Sequence, residues 1–155
     1  MVEFSLVSAT MTTSCKLSKD DESLSIEPIQ YISMIGSLLY LTSSRPDIMQ
    51  AVRMVAIFQS TTKEPHVVVV NRIFRHLKGT TKFGLWYQKM QNFDLIAYSD
   101  VDWARSLDDI NGTSGNALFF GEFFVAWSSK KQASISLSTT EVEYIVAVEF
   151  CTQVL

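Results

Sequence analysis

The sequence predicts a mixed α/β (α+β) chain: helices first, then a short antiparallel meander of strands, then one more helix. Three observations carry that expectation. Apolar residues recur at helical spacing between Tyr31 and Leu77. The period switches to two after residue 94. Charge segregates with the switch: residues 31–88 hold seven basic and two acidic side chains, residues 89–155 four basic and nine acidic. The expected organisation is an irregular arm over residues 1–30, a helical segment over 31–88 and a strand-rich segment over 89–155, joined near residues 88–92.

The arm is rich in Ser and Thr and has no sustained period, which reads as loop. Tyr31, Ile35, Leu38, Leu39 and Thr42 form the buried stripe of a first helix. Ser44, Arg45, Pro46 and Asp47 then read as a start signal, with Ser44 as the cap. Ile48, Ala51, Val52 and Val55 are the inward stripe of the second helix. A third starts near Pro65, buries Val70, Ile73, Phe74 and Leu77, and stops at Gly79. Its other side sets Arg72, Arg75, Lys78 and Lys82 in a basic row, suited to nucleic-acid phosphates. Phe83 to Tyr87 reads as a short strand.

Leu95 to Asp102 alternates as a strand ending in acids, and Ser114–Phe120 and Phe123–Trp127 follow as two more. Gly121-Glu122 between them fits a type II′ hairpin turn. Ser138 to Glu141 is a capping box that opens the last helix, with Tyr144, Ala147, Val148, Cys151 and Leu155 on its inner face. Trp86 and Trp127 are expected to pack.

Composition closes off several classes. With 155 residues and 47% hydrophobic side chains the chain carries ample core material. Its longest purely aliphatic run is Val67–Val70, far below the ~20 residues of a membrane span. The first Lys is Lys16, so no basic leader is expected, and the location read from this is intracellular. Two cysteines, Cys15 and Cys151, make no disulfide scaffold, and neither His66 nor His76 stands at zinc-ligand spacing with them.

Asp100 and Asp102 lie two apart on a predicted strand, so both carboxylates leave one face about 7 Å apart. Glu141 and Glu143 fall in the first turn of a helix, where its dipole favours negative charge. Four acids at the ends of two elements suit Mg²⁺, which accepts a few carboxylates together with water and substrate oxygens. Solvated acids at such positions are also common, and Glu141 is already accounted for as a cap.

Three stretches resemble the Pol polyprotein of Ty1/copia-type long-terminal-repeat retrotransposons: YISMIGSLLYLTSSRPDI (Tyr31–Ile48), RIFRHLKGTTKFGLWY (Arg72–Tyr87), and a third from Tyr98 to Ala147 containing YSDVDWA, TSG, WSSKKQ and LSTTEVEYIVA. The resemblance implies that the first two belong to the C-terminal thumb or connection region of a reverse transcriptase. It implies that the third opens a ribonuclease H-like domain, which cuts the RNA strand of an RNA–DNA hybrid with two Mg²⁺ ions. Matched motif by motif, Asp100 and Glu143 stand where that family has its first two metal ligands, with Asp102 and Glu141 in support. The match departs at Arg105, where the family has Gly, and at Ile110-Asn111-Gly112, where it has a basic residue.

That chemistry needs four carboxylates and this sequence supplies two; the polymerase's own aspartates are absent as well. The resemblance therefore implies a truncated, catalytically inactive copy whose first strand has lost a neighbour. Residues 94–100 are expected to present an unpaired apolar edge, a route to self-association.

Overall fold

The computed structural model describes residues 8–11, 17–18, 22–89, 94–102, 113–131, 140–141, 143–144, 147–148 and 151. The chain divides into two compact units, Met1–Gly84 and Leu85–Leu155.

Three helices build the first unit: α1 (Pro28–Leu41), α2 (Met49–Ala56) and α3 (Glu64–Gly79), with a single 3-10 turn, Pro46–Ile48, leading into α2. α1 starts three residues before the expected Tyr31, because Pro28 suits a helix's first turn, where no N–H is needed. The core is the expected stripes brought together: Tyr31, Ile35 and Leu38 from α1; Ile48, Ala51, Val52 and Val55; Val69, Val70 and Ile73 from α3. Leu39, Phe74 and Leu77 pack half-buried around it. Tyr31 carries the one hydroxyl in this core, and it donates to the Val55 carbonyl at 2.7 Å. Burial pushes that phenol well above its ordinary range, so it remains a neutral donor.

The turn after α1 corrects one expectation. Ser44 does not cap α2; the residue ahead of the 3-10 turn is Arg45, and no side chain caps that end. Instead the hydroxyls of Thr42, Ser43 and Ser44 donate back to the carbonyls of Leu39, Tyr40 and Leu41. Three successive hydroxyls thus satisfy the acceptors that a helix C-terminus leaves unpaired. At the end of α3, Gly79 takes no left-handed cap; Gly121 is the one glycine with positive φ among the described residues.

The described part of the arm, residues 8–11, 17–18 and 22–27, has neither helix nor named strand, and α3 straps it down. Ile26 N–H donates to the Thr62 carbonyl and Glu64 N–H to the Leu24 carbonyl, each at 3.2 Å. His66, fully buried, accepts from Lys63 N–H at Nδ1, so its Nε2–H donates to the Ser18 carbonyl at 3.1 Å. Its ring also stacks on Phe58, centroids 4.1 Å apart.

The second unit holds an antiparallel sheet in the order β1 (Leu95–Asp102), β2 (Thr113–Phe120), β3 (Phe123–Lys131). Phe120 pairs with Phe123 across the two-residue turn, and Gly121 has the positive φ (61°) that such a turn demands. The β2–β3 register shifts between Leu118 and Phe119, leaving Val125 between the partners of those two residues.

Two expectations fail here. Residues 83–89 form no strand, because no backbone partner runs beside them among the described residues; Tyr87 is fixed by its side chain instead, its hydroxyl donating to the Phe124 carbonyl at 2.6 Å. Residues 140–141, 143–144, 147–148 and 151 are helical, but Tyr144, Ala147, Val148 and Cys151 are all exposed and so form no inner face. An apolar stripe is buried only against apolar surface, and the buried residues described in this unit are the polar Ser114, Asn116 and Ser129. Leu155 and the box residues Ser138 and Thr139 lie outside the described residues. No described helix is long and apolar enough to cross a membrane.

Truncating Ile35 to Ala should remove about 3 kcal/mol of stability, read by urea denaturation of the helical circular dichroism. A loss under about 1 kcal/mol would contradict its central place in this core.

Candidate functional site

Asp100 sits on β1 with its side chain exposed, opposite Gly115 on β2, which in turn pairs with Ser129 on β3. Gly115 leaves open space where a side chain would stand beside Asp100: nothing lies within 4 Å of a Cβ built there. Asp102 pairs with Thr113, two positions along the same register. Glu141 and Glu143 are exposed on helical backbone. Among the described residues, no group of three or more Asp, Glu, His or Cys side chains comes together as a metal site.

Two residues along β1 from Asp100, an aromatic chain begins at Tyr98. Tyr98 meets Phe119 edge-on at 5.7 Å, Phe119 stacks on Phe124 at 5.0 Å, and Phe124 contacts Trp127 at 5.0 Å. Trp127 therefore packs as expected. Trp86 does not: it is 81% exposed, while its neighbour Tyr87 turns toward Phe123.

The basic row on α3 is uneven. Lys78 and Lys82 are exposed, Lys82 lying past the helix end. Arg72 is half-buried and its Nε donates to the Ala9 carbonyl at 3.1 Å. Arg75 is also half-buried, and its Nε is enclosed without an acceptor. Two of the four cations thus face water outright and two are partly committed to the fold.

Sequence reasoning missed a polar cluster beside this row. Arg45 grips Asp47 with two parallel hydrogen bonds, Nε to Oδ1 at 2.8 Å and one terminal nitrogen to Oδ2 at 2.6 Å. The same guanidinium donates to the Thr80 carbonyl at 3.1 Å and to the Thr80 hydroxyl at 2.6 Å. The Thr80 hydroxyl in turn donates to the His76 carbonyl at 2.8 Å, and His76 Nε2–H donates to Asp47 Oδ2 at 3.0 Å. Phe83 lies over the guanidinium at 5.9 Å. Arg45 holds the Asp47 carboxyl below the usual carboxylate range, and its hydrogen bond to Asp47 raises its own pKa. The local signal was the Arg-Pro-Asp triplet, since Pro46 keeps Arg45 out of the helical region and the two charges stand two residues apart.

The chain is 38% identical over 144 residues to a retrovirus-related Pol polyprotein from transposon RE1 of Arabidopsis thaliana, and 35% identical over 150 residues to that of transposon TNT 1-94 of Nicotiana tabacum. These alignments take in 93% and 92% of the chain. The chain belongs to the Pol polyproteins of Ty1/copia-type retrotransposons. It spans about a tenth of the length of those two relatives. A secreted RxLR effector protein 161 of Plasmopara viticola is 34% identical over 122 residues, 78% of the chain and 86% of that relative. No family model and no solved structure matches the chain.

For this Pol segment the described donor set does not assemble a two-ion Mg²⁺ centre. Such a centre needs carboxylates that bridge ions about 4 Å apart. Here Asp100, Glu141 and Glu143 are solvent-facing and belong to no described cluster of three.

Arg45→Ala should cost the fold about 3 kcal/mol, because Asp47 and Thr80 lose their shared donor, and Arg45→Lys should recover less than half of that. Asp47 binds its proton less readily folded than unfolded. Its stabilising contribution is therefore complete above the ordinary aspartate pKa of about 4 and fades as pH falls below it. Urea midpoints measured across the acid range should show that fall in the wild type and a flatter limb in Asp47→Asn; identical limbs would contradict it.

Proposed function

We propose that this Pol segment joins the C-terminal thumb or connection part of a reverse transcriptase to the opening part of its ribonuclease H domain, and that by itself it grips an RNA–DNA hybrid without cutting it. The observation that carries this reading is the pairing of motif with fold. Tyr98–Asp102 of the YSDVDWA motif lie on the first strand of a three-stranded antiparallel meander, Asp100 is exposed on it, and the basic row precedes it in the chain, Arg72, Arg75 and Lys78 on a helix. Lys78 and Lys82 are the principal phosphate contacts, with Arg72 and Arg75 held close to the helix surface in support. Catalysis by the whole polyprotein draws on Mg²⁺. Of its ligands these 155 residues offer Asp100 and Glu143, with Asp102 and Glu141 in support, and a pair of ligands cannot fix two ions across a scissile phosphate. Self-association through the edge of β1 belongs to the same reading.

A second reading is favoured by one observation. A relative of which this chain covers 86% carries the name of an effector protein rather than a polyprotein, so a segment of this kind also occurs outside full-length Pol. In that reading the chain is a co-opted binding module without catalysis.

Hybrid binding measured by fluorescence anisotropy should weaken linearly in log–log plots against salt. Lys78→Gln with Lys82→Gln should make the slope shallower by about two, one neutralised phosphate for each lysine. Affinity unaffected by salt, or a slope unchanged in the double variant, would contradict the phosphate grip.

A further inference from the structure

Trp86 and Trp127 meet opposite fates. Trp127 is half-buried at the end of the aromatic chain that starts at Tyr98. Trp86 meets no other ring among the described residues and stays open to water over most of its surface. The backbone that carries it is tied down nonetheless. Phe83 N–H donates to the Thr80 carbonyl at 3.0 Å, Leu85 is half-buried, and Tyr87 is fixed through both its ring and its hydroxyl. The indole is thus presented on an anchored stretch, and a ligand that covers it has little chain left to order.

The charge around Trp86 sets it apart from the other exposed aromatics. No Asp or Glu occurs between Glu64 and Asp94, while Arg72, Arg75, Lys78, Lys82 and Lys89 all do. Lys89, three residues after Trp86, is exposed. Tyr98 stands two residues from Asp100, and Tyr144 directly follows Glu143. Tyr40 lies on α1, which carries no charged side chain, and Phe83 lies over the Arg45 guanidinium. A polyanion therefore meets an open ring and free cations together at Trp86. An apolar protein face would have to take Lys89 out of water without offering it a counter-charge.

We infer that the Trp86 indole is a stacking platform for an unpaired nucleobase, with the Lys89 ammonium on a phosphate beside it, so that this stretch binds single-stranded nucleic acid. This goes beyond the hybrid grip, because a base inside a duplex already has both faces covered by its neighbours. Three residues of chain span at most about 11 Å, which keeps Lys89 within reach of the phosphates that flank the stacked base. Every base has a π face, so the platform accepts RNA or DNA without regard to sequence.

The test uses the full chain without hybrid and two labelled probes of about twelve nucleotides, the length a small single-strand site covers. One is oligodeoxythymidylate; the other has the same sugar–phosphate backbone and no bases. The thymidylate should bind about tenfold more tightly than the abasic strand and should quench tryptophan emission. Trp86→Leu should abolish that preference and reduce the quenching, and Trp86→Phe should keep most of the preference. Lys89→Gln should weaken both probes alike and make the log–log salt slope shallower by about 0.7, one phosphate on a single strand. Trp86→Leu should leave the circular dichroism and the salt slope for hybrid unchanged. Equal affinity for the two probes, binding of neither, or a preference that survives Trp86→Leu would overturn the inference. Failure of the hybrid grip shows instead in the salt slope of the Lys78, Lys82 double variant, so the two readings fall separately.

Discussion

The helical unit depends on one guanidinium. Arg45 emerges from the turn between α1 and α2, yet it satisfies the carbonyl and hydroxyl of Thr80 at the end of α3 and both oxygens of Asp47. Thr80, 35 residues on, and Phe83 meet this one side chain, and His76 joins them through Asp47, 29 residues before it. Its side chain is only 11% exposed, so the charge is removed from water and every donor must find an acceptor. Lysine cannot replace it, because a point charge does not present the planar fork that engages Asp47 at two atoms. The apolar stripes supply most of the burial; this polar cluster fixes how α3 meets the α1–α2 turn.

How much of this was legible in the sequence follows from how far each residue's partner lies. The stripes of α1, α2 and α3 were readable because their residues share a face by helical period alone, and Tyr31, Ile35, Val52 and Ile73 are all in the core. The turn at Gly121 was readable because two residues decide it locally. Arg45, His66 and Thr80 were not. Arg45 and Thr80 are separated by 35 positions, His66 and Ser18 by 48, and no local pattern encodes such contacts. Ser44 misled for a related reason: a hydroxyl between two helices can serve either, and here the carbonyl of Leu41 took it. Residues 83–87 have strand composition but no backbone pairing among the described residues, and composition does not supply one.

The second unit inverts the first. Its described buried residues are small and polar, while Leu95, Ile96, Tyr98, Tyr144 and Val148 face solvent. The motif that identified Asp100 could be read directly, since YSDVDWA is contiguous. What surrounds the carboxylate could not, because the open space over Gly115 and the aromatic chain from Tyr98 to Trp127 arise only when three strands align. A segment that spans about a tenth of relatives such as RE1 carries the motifs of a larger machine, and its own chemistry is set by the side chains it contains.

The most direct measurement is hydrolysis of a 5′-labelled RNA strand annealed to DNA, followed in Mg²⁺ with the 155-residue chain in excess. The account predicts full-length RNA at every time point, in the wild type and in Asp100→Asn alike. Shortened RNA that disappears with a chelator and with Asp100→Asn would show that a complete catalytic centre forms from this chain, and would contradict the account.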